Sequence, residues 1–132
     1  MYSFATPIRE ALRCFGYREP YPRHLMQALG TLMRNEDEDI FIRLLEQRMD
    51  RGGAIIDDLR HCNELAWCRD NGFIVVYLRG SYRPLDGEEA AHESENQLDA
   101  GDADIVLEEG EVSERLRYLL KEILDAVDVV LV

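Results

Sequence analysis

Hydrophobic positions recur along this chain with two different periods, and their alternation predicts helices interleaved with strands. Helical spacing predicts a helix over residues 7–15, capped by Thr6 and ended by Gly16, and a second helix that begins at Pro22. A third helix follows the acidic run 36–39, because negative charge favours a helix N-terminus. The apolar stripes of the second and third helices comprise Leu25, Met26, Leu29, Leu32 and Met33, and Ile40, Phe41, Leu44, Leu45 and Met49.

Short apolar runs predict three buried strands, at residues 54–56, 73–78 and 104–107. A helix predicted at 61–70 separates the first two strands, and an amphipathic helix predicted at 113–127 follows the third. Strands that alternate with helices indicate an α/β fold. We therefore expect one domain over the 132 residues, a three-layer sandwich with a small, mainly parallel sheet.

Polar segments follow the predicted strands, and ligands of parallel sheets lie at the carboxyl ends of the strands. Residues 57–64, residues 79–83 and the segment around His92 are expected to converge at that edge. The chain ends in a strand-like tail at residues 128–132.

The net charge of −12 is concentrated in one block. Residues 1–85 contain 12 acidic and 12 basic side chains, whereas residues 86–111 contain 11 acidic side chains and no Lys or Arg. Such a block repels phosphate backbones, so we expect no direct binding to nucleic acid. It is either a solvated, mobile loop or a docking surface for a basic protein.

Hydropathy and cysteine content indicate an intracellular, non-membrane protein. No apolar run approaches the roughly 18 residues of a membrane span, and the N-terminus lacks the pattern of a signal peptide. An odd, sparse set of cysteines (Cys14, Cys62 and Cys68) suits a reducing compartment, and all three are expected to be small buried residues. A metal site with His61 lacks the paired Cys-x2-Cys spacing, so no metal ligand is assigned.

The segment IIDDLRHCNE, residues 55–64, contains the first group with chemical potential. A carboxylate such as Asp58 at a strand end can hold magnesium or orient a hydroxyl, and Arg60 can bind a phosphate through two N–H donors. Alternatively, Asp58 caps the following helix and Arg60 pairs with a neighbouring acid. The spacing alone does not separate these interpretations.

Two further segments carry polar groups in a suggestive order. HESEN, residues 92–96, is either a polar cluster beside a ligand or an ordinary loop. In RHLMQALGTLMR, residues 23–34, Gln27, Thr31 and Arg34 follow an apolar helix face, which indicates either polar groups above a cleft or helix-end capping. The chain contains no Gly-x4-Gly-Lys-Ser/Thr loop, and its single lysine, Lys121, falls within the last predicted helix.

Taken in order, four segments resemble the phage and bacterial deoxynucleoside monophosphate kinases of the P-loop kinase superfamily. FATPIREAL resembles the segment after that family's phosphate loop and first helix, and RHLMQALGTLMR its Leu-x-Gln-x-x-Gly-Thr helix. IIDDLRHCNE resembles its strand that ends in Asp-x-Arg-x-x-Asn-Glu, and HESEN its His-x-Ser-Glu lid segment. The chain departs from the family because it starts after the first strand and the phosphate loop.

The resemblance implies an acceptor site without a donor site. Arg60 would contact a nucleotide phosphate, and Asp58 would lie near the acceptor or metal. The further nucleotide or phosphate candidates are Asn63, Glu64, Gln27, Thr31 and Arg34, with His92, Ser94 and Glu95 in a lid-like segment at 79–103 that also holds Arg79 and Arg83. No catalytic residue is assigned, and magnesium is expected only with a bound phosphate ligand.

The resemblance also implies a gap in the sheet, because the first strand of that family normally lies in the middle of the sheet. The tail at 128–132 is expected to supply an extra strand, either in its own sheet or in that of a partner as a homodimer.

Three functions follow as hypotheses. The first is a degenerate, phage-encoded kinase-like protein in the cytoplasm of a bacterial host, which binds a nucleoside monophosphate without turnover. The second is an inhibitor of a host nucleic-acid-binding defence complex, similar to anti-CRISPR proteins, that docks through acidic residues such as Glu88, Glu89, Glu93 and Glu95. The third is one half of a split kinase. The absent phosphate loop favours a non-enzyme.

Overall fold

The computed structural model describes residues 1–50, 52–79, 98–108 and 129–131. A short apolar strand, helix and second strand follow three N-terminal helices, as the change of hydrophobic period predicts. The described helices are α1 (Thr6–Cys14), α2 (Arg23–Glu36), α3 (Ile40–Glu46) and α4 (Cys62–Asp70). The strands are β1 (Ile55–Ile56), β2 (Ile74–Arg79), β3 (Ile105–Glu108) and β4 (Val129–Leu131), and a 3-10 turn spans Ala100–Asp102.

The helix ends follow the sequence signals with one correction. Gly16 has a φ of 93° and Gly72 a φ of 78°, so both adopt the left-handed conformation that glycine tolerates at a helix end. Thr6 was expected to be the N-cap of α1, but it is the first helical residue and Ala5 occupies the cap position without a side-chain bond. The free N–H groups of this end are satisfied from elsewhere in the chain.

The four described strands form one all-parallel sheet in the order β1-β4-β2-β3. This confirms a small α/β fold with a parallel sheet. In β2 and β3, Val76 is level with Ile105 and Arg79 with Glu108. Tyr2 makes an isolated parallel bridge to Ile56 at the other edge of β1.

The C-terminal tail lies in the middle of the sheet. Val129 and Val130 are level with Ile55 and Ile56 of β1, and β4 also pairs with β2, where Val75 is level with Val130. The tail therefore supplies a strand to its own sheet, one of the two placements expected. Both hydrogen-bonding edges of β4 are used within the chain, so a homodimer through 128–132 would have to break these pairs.

The main core lies between one face of the sheet and the helices. Ile56, Val75 and Val130 have no exposed surface and pack in one cluster with α1, α3 and α4. Residues Val76 and Leu107 are buried on the opposite face with partly buried sheet neighbours. In α3 the buried residues are Phe41, Ile42 and Leu45. The expected stripe did not include Ile42, because a helix of seven residues has too few positions to define its buried face from the sequence.

Cysteine burial differs from expectation. Cys68 is fully buried, and burial raises the pKa of its thiol to about 12. Cys14 and Cys62 are exposed, because Cys14 ends α1 and Cys62 begins α4 on the solvent side. The expectation of three buried cysteines is therefore wrong for two of them.

Several predictions fall on residues outside the described ranges. They concern the helix at 113–127, most of the acidic block 86–111, and the lid-like segment between Arg79 and Leu98 with its candidates Arg83, Glu88, Glu89, His92, Glu93, Ser94 and Glu95. No helix within the described ranges is long and apolar enough to cross a membrane.

Candidate functional site

The loop after β1 crosses the carboxyl end of the sheet. The backbone N–H of Leu59 donates to the carbonyl oxygen of Leu131 at 3.1 Å, so this loop passes over the end of β4. Leu59 itself is 1% exposed and anchors the loop in the core. Asp58 and Arg60, on either side of this anchor, are thereby held at the sheet edge where ligands of parallel sheets bind.

Asp58 fixes the N-terminal segment of the chain. Its carboxylate accepts hydrogen bonds from the backbone N–H groups of Phe4 at 2.8 Å and Ala5 at 2.9 Å, and from the Ser3 hydroxyl at 2.6 Å. Arg9 donates to the same hydroxyl at 3.1 Å. Asp58 therefore caps α1 from a distance in sequence, instead of capping α4 as one interpretation expected. If Asp58 were to bind a metal ion or a phosphoryl acceptor, its carboxylate would have to release these three donors.

Glu64 is the only described charged residue in the core, with 2% of its surface exposed. Its Oε2 accepts the backbone N–H groups of Arg60 at 3.2 Å and His61 at 3.1 Å, and its Oε1 lies 3.5 Å from Nη2 of Arg34. Burial raises the pKa of the carboxyl to about 6, although these N–H groups and the guanidinium act in the opposite direction. The nearby charge of Asp58 adds to the increase.

Arg34 reaches Glu64 from the last turn of α2. Its guanidinium carbon lies 4.7 Å from the centroid of the Phe41 ring, a cation–π contact that holds the group in place. Gly30, one turn earlier, is buried, and a Cβ there would lie 3.0 Å from Nη1 of Arg34 and 3.2 Å from Cδ1 of Ile8. The glycine of the RHLMQALGTLMR segment therefore makes room for the arginine.

Arg60 differs from Arg34 because its guanidinium is exposed, and no described acid pairs with it. The alternative in which Arg60 pairs with a neighbouring acid is not seen among these residues. His61 lies beside it as the N-cap of α4, and its pKa is lowered to about 4 by burial and by the charges of Arg34 and Arg60. The guanidinium charges of Arg34 and Arg60 thus both lower the pKa of the His61 imidazole. We call Arg34, Asp58, Arg60, His61 and Glu64 the arginine cluster.

The remaining described candidates lie outside the arginine cluster. The Asn63 amide donates to the Glu38 carbonyl at 3.0 Å and to Asp39 Oδ1 at 2.9 Å, so it braces α4 against the turn before α3. Gln27 is half-buried and Thr31 is exposed.

A groove beside α2 does not receive the expected polar side chains. It has a volume of about 510 Å³ and runs between α1 and α2. Leu25, Leu29 and Leu32 line it, whereas Gln27, Thr31 and Arg34 do not. The expected nucleoside pocket lined by those three residues is therefore not this groove.

The sequence pattern identified four of the five members of the arginine cluster. The cysteines near His61 indicate only a possible metal site, whereas its place beside Arg60 at the start of the predicted helix 61–70 is the signal that puts it in the cluster. Ser3, Arg9 and Phe41 support the cluster through contacts that no local pattern signals. Within the described part of the chain, no group of three or more His, Cys, Asp or Glu side chains could hold a metal ion.

Comparisons with protein-family models, with curated proteins and with solved structures found no match for this chain.

Proposed function

We propose that this chain is a degenerate, phage-encoded relative of the deoxynucleoside monophosphate kinases that binds a nucleoside monophosphate through its phosphate. The observation that carries the proposal is Arg60, which is exposed at the carboxyl end of the parallel sheet and pairs with no acid among the described residues. Among these residues no acid would have to release the Arg60 guanidinium before it binds a phosphate.

The surroundings of Arg60 favour an anion. Arg60 immediately precedes His61, the N-cap of α4, and a helix N-terminus carries partial positive charge from its free N–H groups. The guanidinium of Arg34 adds a second positive charge, although Glu64 offsets it. A phosphate monoester matches the fork of N–H donors that a guanidinium presents.

Turnover is not part of the proposal. The sequence has no Gly-x4-Gly-Lys-Ser/Thr loop, and such loops supply the positioning and charge neutralisation of phosphoryl transfer. By resemblance, the fold would be a three-layer sandwich of the P-loop kinase type. In the split-kinase alternative another chain would supply the first strand and the phosphate loop of that family. The central place between β1 and β2 is already filled by β4, which weighs against this alternative.

Titration calorimetry with each of the four deoxynucleoside monophosphates tests the proposal. We expect binding in the millimolar-to-micromolar range for at least one of them. Arg60→Ala should weaken binding by roughly 10- to 100-fold, as expected for the loss of a charge-assisted contact. Arg13→Ala removes another exposed arginine, on α1, and serves as the matched control that should leave affinity unchanged. No heat with any of the four nucleotides would contradict the proposal.

The acidic block supports a second candidate function, docking to a basic protein such as a host nucleic-acid-binding defence complex. Its specific observation is the run of 11 acidic side chains without Lys or Arg at residues 86–111. Complementary charge accelerates association and is weakened by salt. Capture of such a complex at low salt, lost when Glu88, Glu89, Glu93 and Glu95 are changed together to Gln, would support it. Under the first proposal those changes leave nucleotide affinity nearly unaltered.

A further inference from the structure

The two oxygens of the Glu64 carboxylate have different partners. Oε2 accepts two backbone N–H groups at the start of α4, which fixes the orientation of the side chain. Oε1 is directed toward Nη2 of Arg34 at 3.5 Å. This separation exceeds the roughly 2.7–2.9 Å of a good charge-assisted hydrogen bond. The pair is therefore an attraction between charges with incomplete hydrogen bonding.

The two partners also differ in access. The Arg34 side chain is 25% exposed, whereas the Glu64 side chain is 3% exposed. An anion can approach the guanidinium from solvent, but the carboxylate stays behind it in the core. Glu64 then repels the same anion that Arg34 attracts, and the buried position strengthens that repulsion.

We propose that Glu64 competes with a bound anion for the Arg34 guanidinium. While the Glu64 carboxylate is charged, it lowers the affinity of the arginine cluster for a tetrahedral dianion. This inference rests on the proposed anion site at Arg60 and adds its regulation. When the charge of Glu64 is removed, Arg34 joins Arg60 and two guanidinium groups hold the dianion. Glu64 is thus a positioning residue that sets affinity without touching the ligand.

Acid should have the same effect as removal of the carboxylate. The groups that face Glu64 are Arg34 from α2, Asp58 and Arg60 from the loop after β1, and His61 and Cys68 from the α4 region. Among them, Glu64 loses its charge as the pH falls through about 6, whereas His61 gains charge near pH 4. Affinity should therefore rise first through Glu64.

Sulfate is the probe, because it stays a dianion across the pH range of interest. We would measure its affinity by calorimetry at pH 7.5 for the wild type, Glu64→Gln, Arg34→Gln and the double variant. Glu64→Gln should tighten sulfate binding about tenfold, the size of one charge-assisted contact. In the Arg34→Gln background the same change should tighten binding much less, because only the direct repulsion by Glu64 is then removed. Asp70→Asn neutralises an exposed acid at the end of α4 that forms no ion pair with a described residue, and it is the matched control, with affinity unchanged.

Equal tightening in both backgrounds, or none in the wild-type background, would overturn the inference. If Glu64→Gln does not fold, the wild type is compared with Arg34→Gln, and sulfate affinity should rise more between pH 7.5 and pH 5.5 in the wild type than in that variant. His61→Gln should show the same rise in sulfate affinity. If the rise disappears in His61→Gln, the pH dependence comes from His61 and the inference about Glu64 is overturned. Absence of sulfate binding in every protein contradicts the anion site itself. Binding by the wild type without an effect of Glu64 contradicts only the inference.

Discussion

Oε1 of Glu64 lies 3.5 Å from Nη2 of Arg34, and this ion pair joins the first turn of α4 to the last turn of α2. Glu64 is only 2% exposed, and its carboxylate also accepts two backbone N–H groups. The Glu64 side chain therefore links α4, which follows β1, to α2, which precedes β1.

Glu64→Ala should lower the free energy of unfolding by about 3 kcal/mol, because it leaves a guanidinium without its partner and two N–H groups without an acceptor. Glu64→Gln retains an acceptor oxygen for the N–H groups and should cost about 1 kcal/mol. Urea unfolding at pH 7.5 measures both values. An alanine variant as stable as the wild type would show that the pair does not hold the helices together.

The pH dependence of stability should contain two opposing contributions. The pKa of Glu64 is raised from 4.5 to about 6 in the folded state, so its contribution is largest below pH 4.5 and is lost as the pH rises through 6. The difference in stability between the wild type and Glu64→Gln should therefore shrink by about 2 kcal/mol over that interval. Urea unfolding of both proteins at closely spaced pH values measures it, and a difference independent of pH would contradict the raised pKa.

His61 acts with the opposite sign. Its pKa is lowered from 6.5 to about 4, so its contribution is present above pH 6.5 and is lost as the pH falls through 4. His61→Gln should remove this loss, so its stability relative to the wild type should increase on acidification from pH 6.5. A constant difference across this interval in the same unfolding series would show that the ring titrates alike in both states.

Asp58→Ala should release the N-terminal segment. Three donors, the N–H groups of Phe4 and Ala5 and the Ser3 hydroxyl, lose their acceptor, and we expect a loss of about 2–3 kcal/mol. Hydrogen exchange measured by NMR should become faster at the amides of Phe4 and Ala5. Asp57→Ala is the matched control, because the neighbouring Asp57 is exposed and its change should cost less than about 0.5 kcal/mol. Equal effects of the two variants would contradict the assigned cap.

Val130→Asp should prevent stable folding, because Val130 has no exposed surface and lies in the central strand β4. An unpaired buried charge costs more than a small domain can lose. Val106→Asp, on β3, is the control, since Val106 is 38% exposed. Circular dichroism and thermal melts should show the control folded and the β4 variant unfolded. A folded Val130→Asp would mean that β4 is dispensable to the sheet.

Local patterns were sufficient for much of the fold. The helices α1 and α4 lie within one residue of their predicted bounds, and α2 begins one residue after its predicted start, because Gly16, Pro22 and Gly72 mark chain turns by their own backbone preferences. The strands were found because apolar runs between turn signals must be buried. The expected stripe of α3 missed Ile42, since a seven-residue helix offers too few positions to define its buried face.

The candidate site was only partly predictable. Arg60 and Asp58 were chosen because they follow a strand, which depends on local order alone. The role of Asp58 depends on Ser3, Phe4 and Ala5, more than 50 residues earlier, and no local pattern encodes such a contact. Asn63 likewise pairs with the turn before α3 and not with its sequence neighbours.

The sequence by itself determined the order of helices and strands, the absence of a phosphate-loop motif and the concentration of acidic charge, because each follows from residue identity or short-range spacing. Only the tertiary structure decided that the tail enters the centre of the sheet as β4. It also decided that Glu64 holds Arg34 while Arg60 remains unpaired among the described residues. Strand order and ion pairing depend on segments that are distant in sequence and could pair in more than one way. Burial and geometry in the folded chain select one pairing.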